Sequence, residues 1–227
     1  MEEIKTLKDH VYDYIADQIR AGNMQPNQRV SETDICEDLK ISRTPVREAL
    51  IQLTAEGVLE KQARKGLVIK IISEEEIIEL YEIIGALDGY AARKACDKLD
   101  AQDLANLEFY VDSIDLAIKA GNSQMYHEQQ HKFHQLYIDK CGNPSLIAEI
   151  AKLNSKLLKK TSEDLHKKEN QEILFDTNKQ HREILRLFTL KKKDELFRYI
   201  SETHWTPHYA SYDAKSSIAT SAAFKKE

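Results

Sequence analysis

Apolar positions recur with a helical period through most of this chain and alternate like a strand in one short region only. Leu7 to about Ala21 reads as a first helix. Ser31 followed by Glu32, Thr33 and Asp34 places a hydroxyl cap and acidic groups at the exposed N–H end of a second helix running to Leu39. Lys40 and Ile41 form a tight turn. Ser42 then caps a third helix, with Pro45 in its first turns, where the missing N–H costs little. In that helix Val46, Ala49, Leu50 and Leu53 share one face and predict a core, while Arg43, Thr44 and Arg47 project from the N-terminal end. Gly57 is placed to end it in a left-handed cap. Residues 58–62 and 67–71 read as two strands around Ala63, Arg64, Lys65 and Gly66, the glycine supplying the turn.

From Ser73 onward the pattern is helical with hardly a strand signal. Ser73 to Glu76 reads as a capping box opening a helix whose Ile77, Leu80, Ile84, Leu87 and Ala91 form a stripe of period 3.6. Further helices are predicted at about 101–120, 122–141, 144–165, 171–190 and 192–204. Gly121-Asn122 and Gly142-Asn143-Pro144 mark breaks between them. The fold class is therefore mainly α. Residues 1–72 form a winged helix-turn-helix domain, 73–205 an antiparallel all-α bundle, and 206–227 a Ser- and Ala-rich tail of weak periodicity.

Composition narrows the function classes. A chain of 227 residues with 41% apolar residues can bury two cores. Its formal charge of −5 argues against coating nucleic acid nonspecifically, but cations cluster at Arg43, Arg47, Lys61, Arg64, Lys65 and Lys70. Three dispersed cysteines, Cys36, Cys96 and Cys141, with no secretory or membrane-length apolar run, predict a cytoplasmic protein with free thiols and no membrane partner.

The helix-turn-helix segment suits double-stranded DNA. Recognition helices contact bases through N-terminal residues such as Arg43, Thr44 and Arg47, and arginine pairs bidentately with guanine O6 and N7. Hydroxyls such as that of Ser42 hold phosphates at helix N-termini. The alternative for the cations at the hairpin tip is a solvated turn. The run S-R-T-P-V-R-E-A-L-x-x-L-x-x-E-G-V-L, followed by R-K-G-x-x-V, resembles the DNA-binding domain of GntR-family bacterial transcription regulators over residues 5–72. That resemblance implies DNA contacts from Thr33, Arg43, Thr44 and Arg47, and from Gly66 with Arg64 or Lys65 on the wing.

The histidines carry the chemistry of the second half. His127-Glu128-Gln129-Gln130-His131 spells H-E-x-x-H, the pattern of zinc-dependent hydrolases. However, Met125, Tyr126, Phe133, Leu136 and Tyr137 define the apolar face of that helix, so His127 and His131 are predicted to point to solvent. Gln130 and His134 lie on the flank of the apolar stripe. His181 shares a face with Ile184, Leu185 and Phe188, and His204 with Phe197 and Ile200. Three helices each aim an imidazole inward, which points either to a metal site or to hydrogen-bonded core groups.

The segments L-Y-E-I-I-G-A-L-D-G-Y-A-A-R-K-A, F-H-Q-L-Y with G-N-P-S-L, H-R-E-I-L and D-E-L-F-R-Y-I-S-E-T-H resemble the FadR-type effector (FCD) domain of the same family. The resemblance implies a divalent metal, zinc or nickel, held by His134, His181 and His204, with Gln130 where metal-binding members carry aspartate. It also implies effector contacts from Asp88 and Arg93, with Ile84 standing where relatives that bind carboxylates carry arginine. The resulting expectation is a non-enzymatic, homodimeric transcriptional regulator, a repressor, controlled by a small-molecule effector such as an organic acid. A metal-free structural bundle on the same DNA-binding dimer is the main alternative, and a zinc-dependent hydrolase a weaker one.

Overall fold

The computed structural model describes residues 5–20, 23–157 and 167–206. The head consists of α1 (Leu7–Arg20), α2 (Glu32–Leu39), α3 (Arg43–Ala55) and the antiparallel strands β1 (Leu59–Gln62) and β2 (Gly66–Ile69). Ser31 caps α2 by accepting from the Asp34 amide, and Lys40 ends it in the left-handed region at φ 54°. Ser42 stands at the N-cap of α3 without making a side-chain cap bond, so its exposed hydroxyl stays free of the helix it was expected to close. Val46, Ala49, Leu50 and Leu53 are all buried, joining Val11, Ile15, Ile35, Leu59 and Ile69 in one core.

The hairpin pairs Leu59 with Ile69 and Gln62 with Gly66, so Ala63, Arg64 and Lys65 make the turn. Gly66 is not the only left-handed residue there: Arg64 is held at φ 67°. The pattern analysis missed a third strand-like segment. Residues 27–30 run along β2, with Val30 donating to the Leu67 carbonyl at 2.9 Å and Ile69 to that of Gln28 at 3.0 Å. Four residues are too few for an alternation to register.

The bundle contains α4 (Glu74–Ala95), α5 (Ala101–Lys119), α6 (Ser123–Lys140), α7 (Pro144–Lys156), α8 (Lys168–Thr189) and α9 (Lys193–Tyr199), followed by a π-helical turn, Ile200–His204. Ser73 accepts from the Glu76 amide, but the reciprocal capping box occurs elsewhere, between Asp100 and Asp103 at the start of α5. Asn122 and Asn143 cap α6 and α7, after Gly121 and Gly142 have turned the chain at positive φ. The expected helix at 144–165 is described only to Lys156, and residues 158–166 and the tail from 207 lie outside the described residues.

α4 packs against α6, α7, α9 and the π turn, while α5 packs against α6 and α8. The approach of the C-terminal segment to α4 depends on two glycines one turn apart. A Cβ at Gly85 would lie 2.7 Å from Trp205 Cβ, and one at Gly89 would lie 2.8 Å from the Phe197 carbonyl oxygen. The 192–204 prediction merged α9 and the π turn. The wider turn closes with the Trp205 amide donating to the Ile200 carbonyl at 3.1 Å, and brings consecutive residues, His204 and Trp205, to one site.

Alanine normally improves a helix interior over glycine by about 1 kcal/mol. At Gly89 the clash is with backbone, so Gly89→Ala is expected to destabilise the bundle by about 1–3 kcal/mol instead. Urea unfolding followed by circular dichroism checks the sign, and a raised midpoint would contradict the close packing.

Candidate nucleic-acid interface and metal centre

The cations and hydroxyls expected to meet DNA all lie at the surface of the head. Thr33, Ser42, Arg43, Thr44 and Arg47 are exposed, as are Arg64, Lys65 and Gly66 on the wing. A cleft of about 330 Å³ is lined by Arg29, Ser31, Glu32, Thr33, Arg43 and Gly66 among others, so the wing stands beside the start of both helices. Arg29 was missed by sequence reading; a cation two residues ahead of the Ser31 cap was the available signal. Lys65 Nζ lies 3.3 Å from Asn27 Oδ1. Arg47 is held by Glu32, its Nε 3.2 Å from Oε2 and its Nη2 3.0 Å from Oε1.

In the bundle, α6, α8 and the π turn bring His134, His181 and His204 together, with one ligand atom from each lying within 4.8 Å of the others. His134 Nε2 is 3.3 Å from His181 Nε2 and 3.2 Å from His204 Nε2. The outer nitrogens face oxygens. His134 Nδ1 donates to Asp88 Oδ2 at 3.0 Å, His181 Nδ1 to Asn178 Oδ1 at 3.1 Å and His204 Nδ1 to Gln180 Oε1 at 2.9 Å. The Asn178 amide is fixed in that sense because its nitrogen donates to the Val111 carbonyl and to Asp115. With Nδ1 protonated on each ring, three Nε2 lone pairs point at one another.

Burial, reinforced by the neighbouring histidines, pushes His181 well below the ordinary histidine range, and burial followed by the influence of His134 pushes His204 down to about 3. Both rings are therefore neutral at neutral pH. Burial works to raise the Asp88 pKa. It is outweighed by the electrostatic influence of His134 and by hydrogen bonds from His134, Tyr137 and Trp205, which hold the carboxyl below its usual range. Tyr137, buried and next to Asp88, is pushed well above the usual phenol range and keeps its proton. Trp205 Nε1 donates to Asp88 Oδ2 at 2.8 Å, while Asp88 Oδ1 is buried without a hydrogen-bond partner.

This donor set fits a divalent cation. Tetrahedral ligation by imidazole at about 2.1 Å spaces the nitrogens by about 3.4 Å, close to the separations here. An outer acceptor on each ligand ring is the usual way such rings are oriented. Gln130 is half-buried one turn before His134 and takes part in none of the cluster's hydrogen bonds. Arg93 is exposed and pairs with Asp194 at 3.0 Å, so the fold does not bring it to the histidines; Asp88, one face of α4 away, is fully inside. The H-E-x-x-H residues do not form a ligand group among the described residues: His131 is exposed, and His127 lies edge-on to Tyr126. Asn178, Gln180, Tyr137 and Trp205 were missed. Asn178 stands three residues before His181, and that spacing was the available signal.

Residues 7–69 match the family described as "Bacterial regulatory proteins, gntR family", and residues 79–204 match the FCD domain. The chain belongs to the GntR family. It is 28% identical over 135 residues to the "Nta operon transcriptional regulator" of Aminobacter aminovorans, a stretch covering 60% of this chain and 64% of that protein. It is 27% identical over 142 residues to the "Probable D-xylose utilization operon transcriptional repressor" of Paenarthrobacter nicotinovorans, covering 63% and 62%. The chain thus spans somewhat under two thirds of the length of these curated relatives. The solved structure of E. coli McbR/YncC superposes with a TM-score of 0.73 at 20% identity, covering 98% of this chain and 100% of that one, which shows a shared fold. The GntR family is one of DNA-binding transcriptional regulators rather than enzymes. Among the described residues, no helix is long and apolar enough to cross a membrane.

If α3 and the wing divide the work as base reader and phosphate contact, two variants separate them. Arg43→Ala is expected to cost about 1–3 kcal/mol of specific binding. Lys65→Ala is expected to weaken all duplexes about equally and to lower the salt slope by about 0.9. Titration of a selected duplex and a scrambled one at several salt concentrations checks both, and unchanged binding in the double variant would remove this face from the interface.

Proposed function

We propose that this GntR-family regulator is a homodimeric repressor that holds operator DNA with its two heads and releases it when a small-molecule effector binds the bundle. The observation that carries the sensor reading is the convergence of three Nε2 lone pairs, each aimed by an oxygen behind its ring. A divalent cation, zinc or nickel, held by His134, His181 and His204 would supply an electrophilic point for an organic acid. Gln130 is the candidate fourth donor. Asp88 serves to orient His134 and, through its unpartnered Oδ1, to accept from a donor on the effector or on water.

Position along the chain supports the coupling. α4 begins five residues after β2 ends, and Lys70 on the connecting segment pairs with Glu76 at 2.5 Å. The same helix carries Asp88, which binds both His134 and Trp205. A small change at the histidines is therefore transmitted to a helix joined directly to the wing. The coupling needed is about 1–3 kcal/mol. Dimerisation follows from the DNA task, since one head buries too little surface for a specific operator and two-fold operators match two-fold proteins.

Chelation of the protein as purified is expected to lower its melting temperature, and zinc or nickel added to the stripped protein to raise it. At a hundredfold excess over Kd the stabilisation is about 2.7 kcal/mol. His134→Ala, His181→Ala and His204→Ala should abolish the response, whereas His127→Ala and His131→Ala should leave it intact. No response in the parent chain, or one that depends on His127 and His131, would overturn the site. Sedimentation should show a dimer at micromolar concentration with two heads per operator, and a monomer there would refute the dimeric reading.

A further inference from the structure

Glu32 is the first residue of α2, and its carboxylate grips Arg47 from across the helix-turn-helix. The contact is two-pronged, through Nε at 3.2 Å and Nη2 at 3.0 Å. A guanidinium has five N–H groups in a rigid fork. Holding its Nε edge leaves the Nη1 pair and the second Nη2 hydrogen unused, and the Arg47 side chain remains 64% exposed against 28% for Glu32. The unused edge has the spacing of two parallel donors that guanine O6 and N7 accept. Arg29 and Arg43, which line the neighbouring cleft, carry no ion pair among the described residues.

We propose that Glu32 is a positioning residue that aims Arg47 at a guanine in the major groove, and so sets operator specificity rather than general affinity. The inference rests on α3 facing DNA. Charge decides between base and backbone. A carboxylate about 3 Å from the guanidinium would repel any phosphate that Arg47 approached, whereas its spare lone pairs can accept from the N4 amino group of the cytosine paired with that guanine. A half-exposed ion pair adds little to the stability of the fold. What it removes is rotational freedom of a long side chain, which would otherwise be lost at the moment of binding.

The test uses the full chain and a duplex selected by the wild-type protein from a randomised pool, with each base pair then substituted in turn. Arg47→Ala and Arg47→Lys should each lose about tenfold discrimination at one G·C pair, and Lys should retain the salt slope. Glu32→Ala should lose most of the discrimination at that same pair and keep it elsewhere. Its affinity for scrambled duplex should rise severalfold and its salt slope steepen by up to about 0.9, because a freed Arg47 reaches phosphate. Glu32→Gln, with one acceptor left, should fall between. Tighter binding of the selected duplex with discrimination intact would mean that Glu32 merely competes for Arg47, and would overturn the proposal. So would an even loss at all positions together with a lowered melting temperature, which marks a structural role. If Arg47 variants change neither affinity nor preference, the DNA-facing assignment of α3 fails instead.

Discussion

A single buried carboxylate organises the bundle. Asp88 is 1% exposed, and one of its oxygens receives His134 and Trp205 from two other parts of the chain. Burying a charge is costly unless polar partners surround it, so the residues that supply those partners are constrained in position. α4 must lie close to α6 and to the C-terminal turn for the contacts to form. Gly85 and Gly89 make the second approach possible by omitting the side chains that would collide with Trp205 and Phe197. The carboxylate also fixes the tautomer of His134, which turns a packed imidazole into a directed lone pair.

The same logic extends to the other two rings. Asn178 is buried, and its amide is committed to Val111 and Asp115, leaving its oxygen for His181. Gln180 provides the oxygen for His204. Each acceptor satisfies a buried N–H and in doing so leaves the Nε2 of its ring as a free lone pair. The π turn belongs to this arrangement, since it delivers His204 to the other imidazoles and Trp205 to Asp88 from adjacent positions. Regular α-helical pitch separates neighbouring side chains by about 100°.

In the head the organising contacts are hydrophobic, and polar groups are left outward. Val46, Ala49, Leu50 and Leu53 anchor α3 on α1 and β1, which leaves the Arg43, Thr44 and Arg47 end exposed. Glu32 is the exception on that surface. It withdraws one edge of one arginine, whereas Arg29 and Arg43 carry no ion pair among the described residues, so the face is not a uniform positive patch. A chain of net charge −5 can thus be locally suited to DNA without a general affinity for polyanions.

Much of this architecture was legible in the residue pattern. Period, caps and breakers act within a few residues, so α2, α3, the hairpin and most bundle helices emerged with boundaries within a few residues of those observed, and Gly57, Gly121 and Gly142 marked real left-handed turns. The inward aim of His134, His181 and His204 followed from helical phase and held, as did the outward aim of His131. Arg93 entered with Asp88 on the family resemblance, not on helical phase. It shares a helix with Asp88, but side chains five residues apart point in different directions, and it ends in a surface pair with Asp194. What only the tertiary structure decided were relations between distant segments: residues 27–30 joining β2, Glu32 meeting Arg47, and Asp88, Asn178 and Gln180 standing behind the three imidazoles. Local propensity carries no information on which helix face meets which, because that choice is made by packing among parts of the chain far apart in sequence.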